Sequence, residues 1–234
     1  MGPRSNQLFY KLSNGRGATD ASAHEHCSTI GGWWLDDPSG TKAEAIWFME
    51  EADHRSTPWL LQDGKDYKRS NSALELLGTA MLLKILTARA DHQDIMVQAP
   101  VKTDNEGNAY ALLQSSSTSW PQSAILAEIA ALPHKHGIVL RPSHEYREFN
   151  TWADDLTNLK TEGWSESKRV RLDIASPETW LVLLTILQTA GYKTALKDIE
   201  EGHSDTANPT PQLSTSSRDD HIRGEGVDKP HPTS

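Results

Sequence analysis

The sequence predicts an α/β fold in which a five-stranded sheet is flanked by helices, followed by a helical extension and a disordered tail. Three observations predict it. Strand signals come three in a row near the N-terminus; helix and strand signals then alternate; and residues 201–234 are Ser, Thr, Pro, Asp and His with almost no apolar side chain. The corresponding division is residues 8–160 as the folded domain, 161–200 as the helical extension and 201–234 as the tail.

Residues 8–20 read as a first strand broken by Asn14-Gly15-Arg16-Gly17, a turn signal. Residues 29–35 carry a second strand, Thr-Ile-Gly-Gly-Trp-Trp-Leu, closed by Asp36-Asp37-Pro38. Ala45, Ile46, Trp47, Phe48 and Met49 make a third, and residues 51–70 are polar enough to read as an insertion or loop. Asn71 or Ser72 suits the cap of a helix reaching about Leu86, since Leu74, Leu77, Met81 and Ile85 recur at helical spacing. Further leucines broaden that face, as expected of a helix packed on a sheet. A fourth strand covers residues 95–104, although Pro100 argues for a bulge or an edge. A short helix after Gly107, a Ser-rich break and a helix opened by Pro121 follow. Residues 137–142 form the fifth strand and residues 149–158 the last helix of the core, while Ser176-Pro177-Glu178 opens a helix in the extension.

Composition narrows the classes. An apolar fraction of 36% and a mean hydropathy of −0.59 suit one core with part of the chain outside it. The single Cys27 excludes an internal disulfide framework and a multi-cysteine zinc site. No apolar run approaches the roughly 20 residues that cross a bilayer, and the N-terminus lacks the apolar centre of a signal peptide. The expected setting is therefore intracellular, cytoplasmic or nuclear, with no membrane partner. A net charge of −9 counts against tight, unaided binding of a polyanion.

Four acids stand in unusual company: Asp20 in Thr-Asp-Ala-Ser, Glu75 among leucines, Asp104 at the end of an apolar strand, and Asp154 near the start of the last core helix. Acids from two strands and two helices suit a carboxylate cluster for divalent metal. Each also has a plainer reading. Asp20 and Asp104 suit turn or cap positions, Asp154 and Asp155 suit a helix start helped by its dipole, and the pattern puts Glu75 in a first turn, where Glu is welcome.

Thr19-Asp20-Ala21-Ser22, Leu74-Glu75-Leu76-Leu77, Lys102-Thr103-Asp104-Asn105 and Arg147-Glu148-Phe149-Asn150-Thr151-Trp152-Ala153-Asp154-Asp155-Leu156 resemble, in that order, the ribonuclease H-like domains of retroelement reverse transcriptases. The resemblance covers roughly residues 8–158, and its last motif is the most specific. It implies a mixed five-stranded sheet with the first three strands antiparallel and the remainder parallel. It also implies that Asp20, Glu75, Asp104 and Asp154 hold two Mg²⁺ or Mn²⁺ ions, Asp20 centrally, for cleavage of the RNA strand of an RNA–DNA hybrid. Two such ions about 3.5–4 Å apart act on the attacking and leaving oxygens of a phosphodiester, and hard cations favour oxygen ligands. Asp155 competes with Asp154, but neighbours on a helix point about 100° apart.

Lys65, Lys68, Arg69 and Asn105 are candidates for contact with the bound hybrid; the plainer reading of the cations is a solvated face. Lys168, Arg169 and Arg171 form a weaker basic run. The group His24, His26 and Cys27, with His134 and His136, is read as surface loop, and His144 as a strand-end residue without a catalytic role. Trp33, Trp34, Trp47 and Trp152 are read as packing residues. No Tyr-x-Asp-Asp polymerase motif occurs, so a reverse transcriptase partner is expected on another segment. The alternatives are an inactive remnant serving as a structural or interaction domain, and a transposase or integrase core, which the early Glu75 and the Asn-x-x-Ala-Asp ending disfavour.

Overall fold

The computed structural model describes residues 10–12, 14–23, 27–60, 70–89 and 96–189. Lys65, Lys68, Arg69, His24, His26 and the tail expected over 201–234 lie outside the described residues.

Six strands form one sheet: β1 (Tyr10–Leu12), β2 (Arg16–Ala23), β3 (Cys27–Leu35), β4 (Ile46–Asp53), β5 (Met96–Thr103) and β6 (Ile138–His144). β1 and β2 are two stretches of one line, because both pair in parallel with β5, at Leu12↔Gln98 and at Gly17↔Val101. The sheet thus has five strand positions, in the order β4-β3-β2-β5-β6. β3 runs antiparallel to both its neighbours β2 and β4, and β5 and β6 run parallel to β2. This is the mixed five-stranded sheet expected above.

The turn signal at Asn14 marks an interruption within a strand, as expected. Only Ala99 and Pro100 separate the registered residues of β5, while four positions separate Leu12 from Gly17. Pro100, in a central strand, therefore lies opposite a bulge, where its missing N–H removes no regular ladder bond on that side. The loop expected over residues 51–70 is also partly ordered structure. β4 runs on to Asp53, and a 3₁₀ turn, Pro58–Leu60, buries Trp59 and Leu60 in the core.

The helices are α1 (Asn71–Arg89), α2 (Glu106–Gln114), α3 (Gln122–His136), α4 (Thr151–Thr157) and α5 (Leu183–Thr189). α1 packs against β2 and β3 on one side and against α3 on the other. That double contact explains why fourteen of its residues are buried rather than one stripe. α4 covers the opposite face of β2 and β3. There Trp33, Trp47, Trp152 and Trp164 pack in tilted and edge-to-face pairs, with ring centroids 4.7–5.8 Å apart. The tryptophans are packing residues, as expected.

Two glycines set how closely the helices approach. A Cβ at Gly31 would lie 2.8 Å from Cβ of Leu156 on α4, and one at Gly78 would lie 3.0 Å from Cγ2 of Ile30 on β3. Both contacts are made at β3, where Gly31 pairs with Asp20 and Ile30 with Ala21 of β2.

Beyond α4 the chain continues to serve the core. Val170 N donates to Trp47 O and Leu172 N to Glu50 Oε1, covering the outer edge of β4. Arg169 lies over the Trp47 ring and donates to Met49 O, so this member of the basic run is a packing residue. The helix expected at Pro177 is a 3₁₀ turn, Pro177–Thr179, with the α-helix beginning only at Leu183. Glu128 of α3, fully buried, accepts from the backbone N–H groups of Leu181, Val182 and Leu183 at 2.7, 2.7 and 2.9 Å. Those are donors that the start of a helix leaves unpaired. No helix among the described residues is long and apolar enough to cross a membrane.

These contacts set the cost of two substitutions. Gly31→Ala forces α4 off the sheet and costs about 1–3 kcal/mol, in the range of overpacked cores. Glu128→Ala strands buried N–H groups and costs about 2–4 kcal/mol. Urea denaturation midpoints of the purified variants check both.

Candidate metal centre

The site begins where two neighbouring strands part. β2 and β5 pair through Ala18↔Lys102, and beyond that point no pair joins them although β2 continues to Ala23. Asp20 stands two residues past Ala18, and Asp104 two past Lys102, so the two acids reach the same level of the sheet. Asp104 follows the last residue of β5 directly. Asn150, just ahead of α4, donates to Thr19 O at 3.3 Å and so meets a β2 carbonyl beside the site.

Glu75 arrives from α1. The helix begins at Asn71, so Glu75 lies one full turn inside it, and a helix-start role does not account for it. At 5% exposure its carboxylate is held by two amides: Asn71 Nδ2 donates to Oε1 at 2.6 Å and Asn108 Nδ2 to Oε2 at 3.0 Å. Asn71, expected as a cap, is thus the first helical residue and serves the carboxylate. Asn105, expected to contact substrate, caps α2, its Oδ1 accepting from Asn108 N at 3.0 Å. It also donates to Ser72 Oγ at 3.1 Å, tying α2 to the start of α1.

Asp20, Glu75 and Asp104 each offer a carboxylate oxygen, and these atoms all lie within 4.8 Å of one another. Asp20 is 2% exposed; its Oδ2 accepts from Thr157 Oγ1 at 3.2 Å, while Oδ1 is buried without a hydrogen-bond partner. Asp104 likewise has a buried, unpartnered Oδ1, and its Oδ2 faces Arg147 Nε at 3.3 Å. Orphaned buried oxygens are costly unless something positive meets them. Three oxygen donors with two such atoms fit a hard divalent cation.

Asp154 lies in the first turn of α4, outside that group of three, though its charge is felt at Asp20. Asp155 points elsewhere: it pairs with Lys42 at 2.7 Å and Lys160 at 3.7 Å. His144 ends β6, exposed, with its ring edge-on to Tyr146. Cys27 opens β3, and neither it nor His144 belongs to the acid group.

Electrostatics reflect the crowding. Burial, followed by the charge of Asp104, pushes the Asp20 carboxyl from 3.8 up to about 6, against hydrogen bonds from Ala21 and Thr157. Burial, with the charges of Asp104 and Asp20 behind it, pushes Glu75 from 4.5 up to about 7, against the Asn105 amide and Arg147.

Sequence reasoning assigns no role to Thr157, Asn108 or Arg147. Thr157 follows Asp154 by three residues, a spacing that puts both on one helix face. Asn108 sits three past Asn105, the spacing of a cap and the residue whose N–H donates to it. Arg147 is visible in its motif, but nothing in a linear sequence says that it meets Asp104.

No protein-family model matches the chain, and no curated protein matches it. Among solved structures it is similar to the ribonuclease H1 LC11 from compost, in complex with an RNA/DNA hybrid: 19% identity, TM-score 0.44, over 62% of this chain and 94% of that one. It is similar to ribonuclease H1 of the archaeon Halobacterium salinarum at 12% identity and TM-score 0.45, over 63% and 97% of the two chains. The protease-reverse transcriptase of prototype foamy virus aligns at 15% identity and TM-score 0.41, over 64% of this chain and 21% of that one. Nothing about chemistry passes from these structures to this chain. The site stands on its own residues.

The two raised carboxyl values fix a sign. Between about pH 4 and pH 7 the folded protein binds more protons than the unfolded chain, so metal-free stability falls as pH rises through that window. Glu75→Gln therefore stabilises the metal-free protein at pH 8 by on the order of 2 kcal/mol and gives no gain at pH 4. Denaturation midpoints measured in EDTA at both pH values check it.

Proposed function

We propose that this chain is a divalent-metal-dependent nuclease of the ribonuclease H type, acting on the RNA strand of an RNA–DNA hybrid and derived from a retroelement. The observation that carries the reading is the meeting of Asp20, Glu75 and Asp104 within 4.8 Å where the parallel strands β2 and β5 part. The strand order and directions, and the four ordered motifs of the sequence, support it.

In this reading Asp20, Glu75 and Asp104 hold the metal, with Asp154 as a further ligand from α4. When bound, Mg²⁺ or Mn²⁺, as a pair of ions, supplies activation of the attacking water and stabilises the leaving 3′ oxygen. The protein's own groups prepare the place. Asn71 and Asn108 fix both oxygens of Glu75, and Thr157 holds Oδ2 of Asp20 so that Oδ1 stays free. Lys65, Lys68, Arg69 and Asn105 would meet the hybrid, read through backbone shape and 2′-hydroxyls rather than base sequence. A separate reverse transcriptase segment would supply most of the substrate affinity.

A second reading, an inactive remnant that serves as a structural or interaction domain, draws on two observations. The net charge is −9, and Arg147 already pairs with Asp104.

Incubating the full chain with a labelled RNA–DNA hybrid and Mg²⁺ separates the two. Cleavage is expected, stopped by EDTA. Asp20→Asn or Asp104→Asn should lower the rate by more than about 100-fold, beyond the 10–100-fold typical of residues that only orient a ligand. A folded parent that shows no metal-dependent cleavage would sink the nuclease reading and favour the remnant.

A further inference from the structure

We infer that Arg147 is an internal counter-ion of the acid cluster, which a divalent cation displaces from Asp104 on binding. The inference rests on the metal site proposed above and adds a regulatory element to it.

Three facts place Arg147 in this role. Its Nε is 3.3 Å from Asp104 Oδ2, and no other cation forms an ion pair with Asp20, Glu75 or Asp104 among the described residues. Its charge also reaches Glu75, whose ionised form it favours. And the contact is lopsided: the Asp104 side chain is 9% exposed, whereas that of Arg147 is 74% exposed.

The lopsidedness matters most. An Asp104 carboxylate buried beside two further acids needs a positive partner. An Arg147 side chain lying mainly in solvent loses little by leaving, because exposed ion pairs are weak. A divalent cation offers the same acids twice the charge in a smaller volume, and two cations crowding one carboxylate repel each other. Binding of the ion and retention of Arg147 therefore oppose one another. Arg147 steadies the cluster while it lacks metal and weakens the first ion's apparent affinity in return. Its position supports release: it opens the 3₁₀ turn Arg147–Phe149, whose residues are all exposed. The side chain can swing without unpacking the core. Once released, it stands at the rim of the site as a cation able to meet a phosphate.

Mn²⁺ binding to the full chain, followed by the loss of free-ion EPR signal at pH 7.5, tests the competition. Arg147→Gln is expected to tighten binding about 2–5-fold, the range of an exposed ion pair converted to affinity. The same substitution in an Asp104→Asn background should tighten binding less, because the carboxylate for which they compete is gone and only the longer-range effect on Glu75 remains. In ¹⁵N-correlated NMR spectra the Arg147 Nε–H signal, identified by its loss in Arg147→Gln, should shift when Mg²⁺ is added to the parent. Affinity unchanged or weakened in Arg147→Gln, or an Nε–H signal indifferent to Mg²⁺, overturns the inference while leaving the metal site standing. A parent that binds no Mn²⁺ overturns both.

Discussion

Three carboxylates held within 4.8 Å of one another, two of them almost wholly buried, are a repulsive arrangement that the rest of this fold must hold in place. Left to themselves, such groups would turn to solvent or keep their protons. Here each is fixed by a different part of the chain. Asp20 is fixed by the interior of β2, Asp104 by the end of β5, and Glu75 by a helix sealed between the sheet and α3. The raised carboxyl values of Asp20 and Glu75 reflect burial first and the neighbouring acids second, against the amides, hydroxyl and arginine that oppose them.

The packing around the site is organised to keep those elements close. Gly31 lets α4 settle onto one face of the sheet and Gly78 lets α1 settle onto the other, both at β3 beside the strand bearing Asp20. On the α4 face the tryptophan stack is bracketed by cations, with Arg16 over Trp33 and Trp152 and Lys42 over Trp152 and Trp164. Lys42 also grips Asp155, so that acid of the Asp154-Asp155 pair anchors α4, while the charge of Asp154 is felt at Asp20. Adjacent identical side chains thereby do different work.

Much of this is legible in the sequence, and for definite reasons. The succession of strands and helices along the chain follows from apolar runs and their punctuation, whereas the arrangement of the sheet is implied only by the resemblance of the four motifs. Asp20, Glu75 and Asp104 stand out because an acid within or at the end of an apolar segment gives up hydration that only a partner or an ion restores. What cannot be read depends on contacts remote in sequence. The interruption before β2 is legible from Asn14, Gly15 and Gly17, but that both stretches pair with β5 is not. Trp59 and Leu60 are masked by polar neighbours. Glu75 resembles a helix-start acid because its amide partner Asn71 looks like a cap. Arg147, Asn108 and Thr157 gain their meaning from partners 33 to 137 positions away.

Glu128 bears on the time at which the core closes. A ribosome makes all six strands and α1 to α4 before it reaches Leu183, yet α3 already contains a carboxylate whose partners are backbone donors not yet made. Ile174, Trp180 and Leu183, which complete the apolar cluster beneath α1 and α3, also arrive last. Until then the nascent chain holds an acid and an open apolar seam on the same helix. Among the described residues the late segment thus completes the interior, and folding during synthesis would wait for it.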